Sequence, residues 1–163
     1  MRRAVEHPLA PVLGALLFGL VYLAAAPATA DMAGHTFRTW LFERDGPAVW
    51  NAQWYGGHHV LGYSLLFAPP AALLGPAVVG VIAAVAGTAA FAAVLRQACP
   101  GTGPGRLAAA GWLFAAGMAA NVAIGRMPFA LGLALGVAAW LCAERGRHGR
   151  RSLRALAAVA ALA

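Results

Sequence analysis

The sequence predicts an all-α protein: a polytopic transmembrane helix bundle with one external loop that contains amphipathic helices. Three observations predict it. Hydrophobic residues make up 61% and charged residues 10% of 163 positions, the mean hydropathy is +0.71, and long apolar runs alternate with short arginine clusters. Ordinary soluble domains carry about 25% charged residues, so this composition excludes them. The net charge of +7 comes from twelve basic residues, all arginine, against five acids. In a soluble protein that balance would point to nucleic acid. Here the arginines border apolar runs, as membrane-flanking charge does, so nucleic-acid binding is excluded and the expected partner is the lipid bilayer.

The first uncharged run covers residues 8–30 and follows Arg2 and Arg3. It closes on Ala28-Thr29-Ala30, the small-x-small pattern of a signal-peptidase site, so an uncleaved span and a cleaved signal peptide are both open readings. Its apolar part exceeds the roughly 7–15 residues of a signal-peptide core, and further apolar runs follow, which favours the span. Either reading puts Asp31 outside. Residues 60–95 carry no charge over 36 positions and break at Gly75-Pro76. Two further candidates, 107–125 and 127–143, are separated by Arg126, with Pro128 close behind.

Charge placement sets the topology, because arginine-rich short loops stay in the cytoplasm. Arg145, Arg147, Arg150, Arg151 and Arg154 lie in segment 144–154, and Arg2 and Arg3 lie at the N-terminus. With both inside, an odd number of crossings joins them to the loop. The predicted spans are 8–30, 76–95, 107–125 and 127–143, with a fifth starting near 155 and an external loop over 31–75. This describes a multi-pass protein of a bacterial plasma membrane with a cytoplasmic N-terminus. The apolar run 153–163 has about half of the ~20 residues a span needs. The expectation is therefore a truncated chain, completed by missing C-terminal spans or a partner subunit. Cys99 and Cys142 fall on the cytoplasmic side, where thiols stay reduced.

Within the spans, Gly132 and Gly136 form a G-x-x-x-G, which predicts close helix approach. Asn121 is expected to hydrogen-bond between helices, and Arg126 to reach the outer interface.

Nearly all the reactive chemistry lies in the external loop. On a helix from Asp31, residues Asp31, His35, Arg38, Phe42 and Asp45 share one side, and Phe37, Trp40 and Leu41 lie opposite. The pattern predicts an amphipathic helix along the outer leaflet, its polar edge toward water or a substrate cavity. Gly46-Pro47 ends it. Trp50 and Trp54 would share a helical face, and residues 60–74 would form an apolar helix on the outer surface. The cluster Trp50, Asn51, Gln53, Trp54, Tyr55, His58 and His59 reads either as an interfacial aromatic belt or as a surface for a flat polar substrate such as a sugar. Its density favours the sugar.

Asp31 has two readings, an N-cap for the following helix and a partly desolvated general base. His35, one turn on, could orient it, share a metal with it or pair with it. His58 and His59 lack an H-x-x-x-H spacing or cysteine partners, so no metal site is assigned. Arg38 and Arg44 suit phosphate oxygens, and equally suit Glu43, Asp45 or lipid headgroups.

The order of these parts resembles the N-terminal third of GT-C-type polytopic glycosyltransferases, and particularly bacterial, actinobacterial membrane proteins related to that superfamily. The residues that carry the resemblance are the Ala30-Asp31 span end, the loop residues His35, Trp50, Trp54, Gly57 and Tyr63, the Tyr-x-x-x-x-x-Pro-Pro stretch over 63–70, the Leu-Gly-Pro over 74–76, and the Arg-Met-Pro-Phe-Ala-Leu-Gly turn over 126–132. The resemblance implies transfer of a sugar from a polyprenyl-phosphate donor at the outer face. Asp31 would be catalytic base or partner of a divalent metal, and Glu43 or Asp45 the second acid. His35, Arg38, Trp54, Tyr55, His58 and Tyr63 would contact the substrate. Two alternatives from other classes are a membrane transporter and a non-catalytic membrane subunit.

Overall fold

In the computed structural model the described residues are His7, 9–62 and 64–146. Among them are six α-helices: α1 (Ala10–Ala25), α2 (Met32–Asp45), α3 (Ala68–Leu74), α4 (Pro76–Ala98), α5 (Pro104–Ala123) and α6 (Met127–Gly146). A two-residue antiparallel ladder, β1 (Trp50–Asn51) with β2 (Val60–Leu61), lies between α2 and α3. By length and composition, α4 and α6 are apolar and long enough to cross a membrane. The expected fifth span near 155 lies outside the described residues.

Prolines and glycines in the sequence mark most of the helix boundaries. Pro11, Pro76 and Pro104 stand in first turns, where a missing N–H costs nothing. Gly75, at φ +86°, donates to the Ala71 carbonyl and separates α3 from α4. Helix α1 is shorter than the 23-residue run predicted, at 16 residues. It stops because Pro27 follows, and Ala26 takes the left-handed conformation with its N–H on the Tyr22 carbonyl.

Helix α4 sits at the centre, packed on α1, α5 and α6. Gly80 lies against Met127, and Gly87 against Ala134. These two contacts share one sequence offset, so α4 and α6 run parallel. Gly19 of α1 meets Val81, and Gly14 and Gly111 bring α1 onto Trp112 and α5 onto Pro11. The interior is mostly aliphatic, with Met118, Val94, Val122, Met127 and Ala130 fully enclosed beside Phe67 and Tyr22. Thr88 is buried there and satisfies its hydroxyl on the Ala84 carbonyl at 2.7 Å.

Three sequence expectations are corrected here. Among the described residues nothing lies within contact of where a Cβ on Gly132 or Gly136 would stand, so the close approaches among them are made by other glycines. Asn121 donates to the Gly117 carbonyl of its own helix at 2.9 Å rather than across helices, since a side chain one turn on reaches that carbonyl first. The expected 60–74 helix is confined to α3, because Pro69 and Pro70 can occupy only a first turn, and Val60 and Leu61 pair with β1 instead.

Candidate functional site

Helix α2, the β1–β2 hairpin and α3 form a cap over one end of the bundle. α2 packs on α3, and both contact α4. The same end holds the C-terminus of α1 and the α5–α6 turn, so Asp31 arrives beside Gly125. A Cβ on Gly125 would run into the Thr29 side chain and lie 3.5 Å from Asp31 Cβ. Gly125 has φ +89°.

His35 is the anchor of the cap. It is 5% exposed, and its Nε2 donates to the Gly125 carbonyl at 2.6 Å. That bond defines the Nε2–H tautomer and leaves Nδ1 as a buried acceptor with no partner among the described residues. Its ring leans on Phe67 of α3, centroids 5.5 Å apart. Burial pulls the His35 pKa below the ordinary imidazole value; the Gly125 carbonyl and Asp31 oppose this, and Arg38 reinforces it. The Thr29 hydroxyl is likewise buried at this seam.

This placement corrects the orientation expected for α2. His35 and Thr39 are buried, and Arg38 and Phe42 are half-buried, whereas Trp40 is 45% exposed. The middle of the side read as the water-facing polar edge packs inward while its ends, Asp31 and Asp45, are exposed, and of the opposite side Leu41 is buried and Phe37 half-buried. Sequence periodicity separates two faces, but it does not say which one meets a neighbour. Here the α5–α6 turn supplies a carbonyl that only a polar side chain can satisfy.

Asp31 stands at the first turn of α2 with its side chain exposed and making no cap hydrogen bond. Its carboxylate is open to an incoming group. Glu43 and Asp45 occupy the far end of the same helix, about 18–21 Å away at 1.5 Å per residue. They cannot act on one reacting atom with Asp31, which corrects the second-acid expectation. Asp45 also accepts from both Nε and Nη2 of Arg44, at 2.8 and 2.5 Å, and this arginine stacks over Trp40 at 4.4 Å.

Comparison with known proteins finds no family model, no curated protein and no solved structure that matches this chain. The site therefore stands on its own chemistry.

The aromatic residues divide into two groups. Trp54 lies on Phe37 of α2, ring centroids 4.8 Å apart, and Trp50 stacks on His59 at 5.5 Å with 13° between planes. Trp50 is in β1 and Trp54 in the loop, so the helical face expected for the pair does not form. His58 is exposed, Tyr55 lies in a 3₁₀ turn over Tyr55–Gly57, and Tyr63 falls outside the described residues. Arg38, Leu41, Asn51, Ser64 and Ala68 line a cavity of about 40 Å³ between α2 and the hairpin. At about 10–15 Å³ of this measure per water, it admits a few waters.

Among the described residues no three His, Cys, Asp or Glu side chains converge. Gly125 was missed in the sequence reading. Its only signal was a glycine between Ile124 and Arg126 at the end of an apolar run.

Proposed function

We propose that this chain is an integral membrane protein of GT-C-like type, in which α1, α4, α5 and α6 cross the bilayer and the cap faces the outer side. In this reading it acts in transfer of a sugar from a polyprenyl-phosphate carrier to an acceptor hydroxyl. The observation that carries the reading is the seam at Gly125. An exposed carboxylate, Asp31, is held at the end of a helix bundle by a buried histidine locked onto the neighbouring turn.

Charge distribution supports the orientation. Arg96, Arg106 and Arg145 against Glu144 leave the bundle end opposite the cap net positive, whereas Arg38, Arg44 and Arg126 at the cap end are balanced by Asp31, Glu43 and Asp45. A bilayer would retain the arginine end on the cytoplasmic side.

Chemically, Asp31 takes the proton of the acceptor hydroxyl as its oxygen attacks the anomeric carbon. The bond from that carbon to the phosphate oxygen breaks, and the carrier phosphate leaves. His35 positions the Asp31 segment through Gly125 and does not touch the reacting atoms. The rings of Trp50 and Trp54 and the His58 imidazole offer contacts to the sugar. Transport is a weaker reading, because the enclosed polar side chain described in α4, Thr88, is satisfied within its own helix.

Asp31→Asn in the membrane-inserted protein tests the assignment. Sugar transfer should be abolished while insertion is unchanged. Transfer at the original rate would remove Asp31 from the mechanism.

A further inference from the structure

At the bundle end away from the cap, the start of α1, the end of α4 and the start of α5 do not close on one another. They leave a cavity of about 180 Å³, walled by Pro11, Ala92, Leu95, Leu107 and Ala108 and bordered by Arg96. Apart from this arginine the lining is apolar. A dry cavity of about 150 Å³ already admits a benzene-sized guest, so this one can take a segment of hydrocarbon chain. Arg96 itself is exposed, at the last turn of α4, and Arg106 lies in the first turn of α5.

We infer that this cavity holds an acyl chain of an anionic phospholipid whose phosphate is bound by Arg96. The inference rests on the membrane reading above. Two features choose this occupant. The hydrocarbon wall and the guanidinium at its rim match the two ends of a phospholipid. The described charges at this bundle end are Arg96, Arg106 and Arg145 against Glu144, so the local field favours a lipid of net negative charge over a zwitterion. A guanidinium can hold two phosphate oxygens at once, which fixes the headgroup while the chain enters between α1 and α5.

Native mass spectrometry of the full chain, released from detergent with added phosphatidylglycerol or phosphatidylcholine of equal chain length, tests this. Phosphatidylglycerol adducts should exceed phosphatidylcholine adducts several-fold. Arg96→Gln should erase that preference, and Ala108→Leu, which fills the cavity, should lower both adducts. Since Arg96 is exposed, its variant keeps the test open even where the buried substitution unfolds the bundle. Equal binding of the two lipids by the unsubstituted protein, or a preference that survives Arg96→Gln, would overturn the proposal and leave the membrane reading standing. Recovery of the unsubstituted protein from the aqueous fraction would overturn the membrane reading itself.

Discussion

His35 and Gly125, ninety positions apart, are joined by a 2.6 Å hydrogen bond from the imidazole Nε2 to the backbone carbonyl. This contact ties the cap to the bundle, and both partners are buried. Losing one partner of a buried hydrogen bond costs about 1–3 kcal/mol. His35→Ala should therefore loosen α2 specifically. Hydrogen exchange over residues 32–45 should rise in the variant while that of α4 stays slow; unchanged exchange in α2 would mean that the bond holds nothing.

The same residue makes the cap sensitive to acid. His35 has a lowered pKa in the folded protein, chiefly through burial, with Arg38 adding to the effect and Asp31 opposing it. The unfolded chain then binds protons first as pH falls below about 6.5. The contribution of His35 to stability is complete above that value and is lost as pH falls toward the folded pKa. Exchange in α2 should accelerate below pH ~6.5, and His35→Gln should flatten this dependence. A profile of the same shape in His35→Gln would assign the acid sensitivity to another group.

Gly125→Ala should be destabilising by at least about 1 kcal/mol, from positive φ alone. The added methyl also meets the Thr29 side chain. Adding Thr29→Ala should recover the steric part and leave the backbone part. Thermal unfolding of the two variants in detergent separates them, and full recovery in the double variant would show that backbone strain is negligible.

The glycines of the bundle should respond in opposite directions. Gly19 lies against the branched Val81, whereas Gly136 meets no neighbour among the described residues. Gly19→Ala should cost about 1–3 kcal/mol through overpacking, and Gly136→Ala should gain up to about 1 kcal/mol in helix propensity. Thermal melts of both proteins check the signs. Destabilisation by Gly136→Ala would indicate a partner on that face.

Cys99 and Cys142 are free and lie at the arginine end. A membrane-impermeant maleimide should miss both in intact spheroplasts and reach them in inverted vesicles. With Trp50→Cys in a background lacking the two native thiols, the pattern should reverse. Labelling of residue 50 only in inverted vesicles would reverse the proposed orientation.

The helix boundaries at Gly46 and at Gly75-Pro76 were readable beforehand because they depend on local chemistry: a missing N–H, or a backbone angle that a glycine accepts. The same local chemistry, once Pro69-Pro70 and Pro27 are weighed, accounts for the shortened α3 and α1. The face of α2 was not readable. Its two sides differ in polarity in a way that predicts water on the polar side, and the α5–α6 turn reverses this by offering His35 a buried acceptor.

By itself the amino-acid order determined a helical, strongly apolar chain with most of its reactive side chains gathered in one segment between apolar runs, because composition and period act over short stretches. Only the tertiary structure decided that Asp31, Thr29 and His35 gather at Gly125, and that Glu43 and Asp45 stand apart from them. These relationships join residues distant in sequence through packing, and no local pattern encodes the distance between two helices.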